Sequence, residues 1–400
     1  MSFHRVMEVL VWGSFALLFY TFFGYGFLLV FLSALRQATS DLRFASGRRD
    51  RRAQRGANLP QVSLVFAAYN EEGVIQEKLR NCAALEYPFE LLEILVGADG
   101  CSDRTVELGN EVAGRNVRIF DYAERSGKPM VLNKLVPETR GEIVVFSDAN
   151  TMIGPESLRN VVRHFANRRV GCVSGELRLK TPDGKPFSEG LYWKYEIFLK
   201  IMESRLNMVS GAHGGIFAIR RELYEPLPKT GIIDDFLISM RIRGRGYRCV
   251  YDPETWAEEV AIPSVKGEFG RRIRISAGGF HAIVDTWRML LPTAGLIALS
   301  YWSHKVLRWL APFAMILAFA GSLALINVPP YAALTIAALL FTAAGIVGYS
   351  REASGKPTGK FAFPYYFLSM HLAMLLGFFR FAKGTQRAAW ARTSRETPSA

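Results

Sequence analysis

The sequence predicts an α/β domain, a doubly wound and mostly parallel sheet, fused to transmembrane and interfacial helices. Three observations carry that prediction. Short β-rich runs alternate with helix-forming stretches through residues 62–165. Apolar runs long enough to cross the roughly 30 Å hydrocarbon core lie only towards the two ends. Between residues 37 and 288 no segment is both apolar and long enough to span.

Taken in order, residues 1–36 are an N-terminal transmembrane helix, charge-free over 9–32. That run is too long for a signal peptide, and no small-residue cleavage site follows it. Residues 37–60 are an Arg-rich tether, 61–270 the soluble domain, and 271–308 interfacial helices. Two C-terminal transmembrane runs, 309–328 and 331–350, flank Pro329-Pro330, and a weaker third, 361–379, carries Pro364 and His371. A basic tail, 381–400, closes the chain. Within the soluble domain the strands expected are 62–67, 92–97, 117–120 and 143–147. The helices expected between and after them are 72–84, one from about 103, 131–135, and 155–165 with Pro at its first turn. Residues 170–260 are expected to complete the sheet and build the second wall of a cleft.

The net charge of +13 invites a nucleic-acid reading, but its distribution argues against one. Arg36, Arg43, Arg48, Arg49, Arg51, Arg52 and Arg55 follow the first span, and Arg380, Lys383, Arg387, Arg392 and Arg395 follow the last. Basic residues beside spans fix orientation and attract anionic headgroups. They predict membrane lipids as partners, no nucleic acid, and a cytoplasmic middle domain in the cell membrane. Cys82, Cys101, Cys172 and Cys249 match no metal spacing and are read as small buried hydrophobes.

Ligands of doubly wound sheets sit beyond the carboxyl ends of the strands. Polar groups fall there: Tyr69-Asn-Glu-Glu72 after the first strand, Asp99 after the second, Asp148 after the fourth. Each alone is more often a helix cap than a catalytic group. Three at one edge point to a nucleotide or phosphate cleft, with Ser102 or Asp103 capping the next helix and Asp99 left free for a ligand.

Six segments in this order resemble the inverting family-2 glycosyltransferases, specifically membrane-embedded synthases similar to cellulose, hyaluronan and poly-N-acetylglucosamine synthases. They are AAYNEE (67–72), ADGCSDRT (98–105), SGKPMVLN (126–133), SDAN (147–150), SGAHGGIFAIRRELY (210–224) and IIDDF (232–236). The resemblance implies a GT-A-like fold and transfer of a sugar from a UDP-sugar to a growing polysaccharide. It implies Asp235 as catalytic base with Asp234 beside it. Tyr69, Glu71, Asp99, Lys128, Asp148, Arg271 and Arg274 would bind the donor. His213, Gly214 and Gly215 would face the acceptor. Asp148 and Asn150 would hold Mg²⁺ or Mn²⁺, hard cations suited to oxygen ligands and phosphates. Where these synthases carry Gln-x-x-Arg-Trp, this chain has Arg271-Arg-Ile-Arg-Ile275, which keeps Arg274 but lacks the aromatic platform. Single-sugar transfer to a polyprenyl-phosphate or other lipid acceptor therefore stands as the alternative, and a non-catalytic membrane scaffold as a third reading. An export partner or a homo-oligomer is compatible with either enzymatic one.

Overall fold

The structure, a computed structural model, describes residues 2–45, 59–181, 191–260 and 265–386. They fall into two compact units, one drawn from Met1–Leu28, Pro263–Phe280 and Tyr301–Gln386, the other from Leu29–Ile262 and His281–Ser300.

The chain starts with α1 (Phe3–Phe19), a π-helical stretch (Tyr20–Gly24) and α2 (Tyr25–Ala45). They run on as one helix, and Phe3–Leu42 is long and apolar enough to cross a membrane. Tether residues 46–58, with their five arginines, lie outside the described residues. The α/β alternation follows: β1 (Val62–Ala68), α3 (Ile75–Ala83), β2 (Leu92–Asp99), α4 (Thr105–Val112), β3 (Val117–Tyr122), α5 (Lys128–Leu135) and β4 (Ile143–Ser147). Next come β5 (Met152–Ile153), α6 (Ser157–Arg163), β6 (Val170–Lys180), α7 (Leu191–Leu206), β7 (Ile216–Arg220), α8 (Asp234–Gly244) and β8 (Arg248–Val260). Two expected helices start late. Residues 72–74 form a turn before α3, and Pro155 sits in a turn before α6.

The sheet has eight strands in the order β3-β2-β1-β4-β7-β6-β8-β5. Strands β1 to β4 pair in parallel, as the alternation predicts. Beyond β4 the sheet is mixed: β7 is antiparallel to both β4 and β6, β6 is parallel to β8, and β5 is antiparallel to β8. Side chains alternate between two cores, as a two-residue period requires. Leu64, Phe66, Ile94, Val96 and Val145 face Ile75 and Leu79 of α3 and Leu158 and Val161 of α6. Val65, Leu95, Val144, Phe146 and Phe217 face Val131, Leu132 and Leu135 of α5 and Leu237 and Ile238 of α8. The sheet is thus covered by helices on both faces.

Register places the cleft. Parallel pairing aligns the carboxyl ends of β1, β2 and β4 at one edge. Because β7 runs the other way, with Ile216 opposite Ser147, its amino end lies at that same edge. Residues just before β7 therefore meet residues just after β4.

The remaining helices are α9 (Val265–Asp285), α10 (Leu296–Ser300), α11 (Leu307–Ala324), α12 (Pro329–Ala353) and α13 (Ala362–Ala382). Three further stretches are span-competent: Leu296–Ala324, Pro329–Ala353 and Gly359–Ala382. The first takes in residues 296–308, placed among the interfacial helices on sequence grounds. A π-helical turn, Tyr301–Val306, carries α10 into α11 without a break; His304 in the turn and Arg308 in α11 are buried. The third shows that Pro364, close to the start of α13, does not interrupt that helix. Glycines let these helices approach closely: a Cβ on Gly321 would meet Val11, and one on Gly345 would meet Leu368.

Gly97 does the same for the α/β unit. A Cβ there would lie 2.3 Å from a Val131 methyl and 3.0 Å from Leu135. Gly97→Val is expected to lift α5 off β2 and to destabilise the fold by about 1–3 kcal/mol, read as a lower thermal unfolding temperature in detergent.

Candidate active site

Three loops meet at the carboxyl edge, and short-range hydrogen bonds fix each. The first two, after β1 and β2, are stapled together. The Asn70 carboxamide accepts from the Ser102 N–H at 2.9 Å, and the Glu71 N–H donates to Thr105 Oγ1 at 2.7 Å. Asn70 adopts φ 53°, a left-handed turn that asparagine tolerates. Asp103 accepts from the Thr105 N–H at 3.0 Å, but the cap position of α4 falls on Arg104, one residue beyond the Ser102 or Asp103 expected.

Asp99 departs from expectation: its carboxylate is not left free. One oxygen accepts from the Ser126 N–H at 2.7 Å and the Ser126 hydroxyl at 3.1 Å; the other accepts from the Gly127 N–H at 2.8 Å. Buried at the end of β2, it anchors the loop that leads into α5. Gly127 sits at φ 91°, closed to side chains, and turns the backbone so that Lys128 opens α5. On the same loop the Arg125 guanidinium stacks on the Tyr69 ring at 3.6 Å.

Lys128 is the electrostatic centre. Its Nζ lies 2.7 Å from Asp148 Oδ1 and 3.0 Å from Asp234 Oδ2, with only a tenth of the side chain exposed. Burial works against its charge, but Asp148 and Asp234 outweigh it and hold the pKa above the ordinary lysine value. Asp234 and Asp235 open α8 as its first two residues. Burial, together with the Asp148 charge, raises the Asp234 pKa against the pull of Lys128. Burial and then the Asp234 charge push Asp235 up to about 6. Its Oδ1 accepts from the Phe236 N–H at 2.8 Å. Its Oδ2 faces Gly214: a Cβ built there would lie 3.2 Å from Asp235 Oδ2 and 3.7 Å from Asp148 Oδ2. The two carboxylates thus approach one point, which glycine leaves open.

The segment before β7 is pinned from three sides by serine hydroxyls. Ser239 of α8 accepts from the Ala212 N–H at 2.8 Å, and Ser174 of β6 accepts from the His213 N–H at 3.0 Å. Ser147 donates to the Gly215 carbonyl at 3.1 Å. Gly211, at φ 92°, lies flat on the Phe236 ring. The His213 ring meets the edge of Trp193 at 5.7 Å between centroids.

Asn150 donates through its amide nitrogen to Glu259 Oε1 at 2.7 Å, which leaves its carbonyl oxygen as the donor atom for a cation. No cluster of three His, Cys, Asp or Glu side chains spaced to hold a metal occurs among the described residues. Arg271 and Arg274 lie on α9, within the stretch 263–280 assigned to the other unit.

Of the residues singled out on sequence grounds, Lys128, Asp148, Asp234, Asp235 and Gly214 converge in one cluster. Arg125, Ser174, Ser239 and Glu259 were not foreseen. Arg125 directly precedes the SGK segment, a visible clue; the two serines and Glu259 act through tertiary contacts that no local pattern announces.

Residues 60–278 match the family model described as "Glycosyltransferase like family 2". A beta-monoglucosyldiacylglycerol synthase of Trichormus variabilis is 26% identical over 293 residues, covering 70% of this chain and 62% of the relative. A poly-beta-1,6-N-acetyl-D-glucosamine synthase of Staphylococcus aureus is 25% identical over 239 residues, covering 56% of each chain. The chain thus spans about three fifths of the length of these curated relatives. A mannosyltransferase of Pyrobaculum calidifontis, solved with GDP-Man and Mn²⁺, shares the fold: TM-score 0.69 at 21% identity, covering 94% of this chain and 99% of that one.

Asp99→Asn replaces an acceptor-only carboxylate with a group that offers N–H to backbone N–H. It is expected to destabilise the 125–127 loop and the protein by about 2 kcal/mol, measured as a drop in unfolding temperature together with faster proteolysis at Arg125.

Proposed function

Because the chain belongs to the family-2 glycosyltransferases, we propose that it moves a sugar, with inversion, from a UDP-sugar to a growing polysaccharide at the cytoplasmic face of the cell membrane. The observation that carries the mechanism is the convergence of Asp235 Oδ2 and Asp148 Oδ2 on Gly214, with Lys128 bridging Asp148 to Asp234.

The roles follow from which atoms are engaged. Asp235 Oδ1 is held by the Phe236 N–H, so Oδ2 is the atom that takes the acceptor hydroxyl proton. The acceptor oxygen then bonds to the anomeric carbon as the bond from that carbon to the diphosphate oxygen breaks on the opposite face. Gly214 and Gly215 keep the approach open, and His213 lines it. On the donor side Lys128 presents its ammonium towards phosphate, Tyr69 and Glu71 flank the base, and Asp99 acts through the loop it anchors.

The oxygen donors fit a divalent cation that shares its shell with phosphates and water, as Mg²⁺ or Mn²⁺ does. Asp148 offers a carboxylate, with Oδ2 turned away from Lys128 towards Gly214, and Asn150 a neutral carbonyl. Bound there, the cation would offset charge on the leaving diphosphate. This donor set is weak alone and needs the nucleotide to complete it.

Two observations favour single transfer to a lipid acceptor as the second reading. Ile275 stands where a sugar-stacking tryptophan would, and the glycolipid synthase relative covers more of this chain than the polymer synthase does. Product length on membranes supplied with nucleotide sugar decides between them, a long polymer excluding the lipid reading.

The direct test is nucleotide release from a panel of UDP- and GDP-sugars with Mg²⁺, Mn²⁺ or EDTA. Asp235→Asn is expected to lower kcat by about 10²- to 10⁴-fold. Below about pH 6 Asp235 binds its proton and cannot act as base. The parent's kcat/KM is therefore expected to fall tenfold per pH unit on acidification through that value; a profile flat to pH 4 would sink the assignment.

Asn150→Asp sets a carboxylate against Glu259 in place of a hydrogen bond. Two like charges should lower stability without metal by about 1–2 kcal/mol and bind a cation more strongly. The rise in unfolding temperature on adding Mn²⁺ is expected to exceed the parent's; an equal rise would place Asn150 away from the cation.

A further inference from the structure

Helix α3 carries a lysine where its packing stripe calls for hydrocarbon. Ile75, Leu79 and Cys82 are all buried against the sheet, and Lys78 is buried among them, at 0% exposure. A buried ammonium is a weak source of stability, since an apolar side chain of similar volume often serves as well or better. The disposition of its protons shows what the charge accomplishes. Nζ donates to the Thr151 carbonyl at 2.6 Å and to Ser147 Oγ at 2.9 Å, and it sits 5.4 Å from the Phe66 ring centroid. Ser147 and Thr151 flank the turn in the segment FSDANT (146–151) that presents Asp148 and Asn150.

We propose that Lys78 is a positioning residue for the transfer reaction: from beneath the turn 148–151 its ammonium fixes the donor-side groups and ties them to the acceptor-side glycines. The tie runs through hydroxyls. Ser147 Oγ accepts from Lys78 and donates to the Gly215 carbonyl at 3.1 Å. The Thr151 hydroxyl, 2.8 Å from Ser147 Oγ, donates to the Asp148 carbonyl at 3.0 Å. One cation therefore sets the register of both segments that meet at Gly214. Burial lowers the Lys78 pKa, opposed by the Cys82 thiol and the nearby Asp148 charge. Lys78 touches neither the cleft nor any group placed on the substrate, so its effect is indirect.

This inference rests on the glycosyltransferase reading of Asp148 and Asp235. The test uses full-length Lys78→Met, which keeps the length of the side chain and removes charge and donors. The expected result is a folded protein whose UDP affinity stays within about twofold of the parent, while kcat falls roughly 10- to 100-fold and the Mn²⁺ concentration for half-maximal activity rises. A folded Lys78→Met with parental kcat and parental Mn²⁺ dependence overturns the proposal. Should that variant not fold, Ser147→Ala carries the test, because it removes the shorter link from Lys78 to Gly215 and leaves only the longer one, from the Thr151 hydroxyl at 3.3 Å. A fall in kcat of about 3- to 10-fold is then expected, and unchanged kcat overturns the proposal. Asp235→Asn assayed alongside separates the two ideas. Activity retained there defeats the transferase mechanism, whereas an inactive Asp235→Asn beside a parental Lys78→Met defeats only the role of Lys78.

Discussion

Three carboxylates drawn to one sheet edge repel one another, and the ammonium of Lys128 is what allows them to stay. It touches Asp148 at the end of β4 and Asp234 at the start of α8, so a single cation joins the two elements whose meeting makes the cleft. The contact is sheltered and therefore lightly screened. Its geometry depends on everything behind it. Lys128 opens α5 because Gly127 turns the chain, and Gly127 is held because Asp99 anchors its N–H. Asp99 thus supports the position of Lys128 through the loop between them.

The reversal of β7 is the second constraint. In a purely parallel sheet the segment before the next strand would lie at the opposite edge from Asp148. Antiparallel pairing of Ile216 with Ser147 brings Gly214 and Gly215 directly onto the FSDANT turn. The stacked rings of Phe146 and Phe217, 4.7 Å apart, secure that pairing from the core side. The two walls of the cleft are therefore coupled by strand direction, and hydroxyls of Ser147, Ser174 and Ser239 complete the junction where side chains larger than glycine cannot enter.

What could be read in the sequence is what depends on local pattern. Buried runs such as Ile143-Val-Val-Phe-Ser147 announce strands by composition, and parallel order follows from the helices between them. Asp148 and Asp235 stand out because a carboxylate at an element end is visible in one dimension. Strand direction beyond β4 is not, since β6 and β7 show burial patterns that suit either sense. The engagement of Asp99 was hidden for the same reason: its partners, Ser126 and Gly127, are distant in the chain. Lys78 was overlooked because one lysine in a short amphipathic helix reads as solvated; its place on the stripe of Ile75, Leu79 and Cys82 was the signal. At the membrane end, Pro364 suggested a broken span, yet proline in the first turn of α13 lacks only an N–H that would have gone unpaired.

The charge inventory at the edge links proton and metal. Asp148, Asp234 and Asp235 bring three acids against one ammonium, and burial resists leaving the surplus ionised. Burial and then the Asp234 charge raise the proton affinity of Asp235, which stands at about 6 and takes up its proton only as the pH falls through that value. An incoming nucleoside diphosphate adds further negative charge beside the same groups. On the proposed reading, Asp148 and Asn150 would hold a divalent cation, which would offset part of that negative charge. On that reading the Asp235 carboxylate would stay in the deprotonated form that a base needs. Neutral Asn150 adds no fourth carboxylate to that surplus, and on the proposed reading the nucleotide would supply the charge that completes the cation's shell.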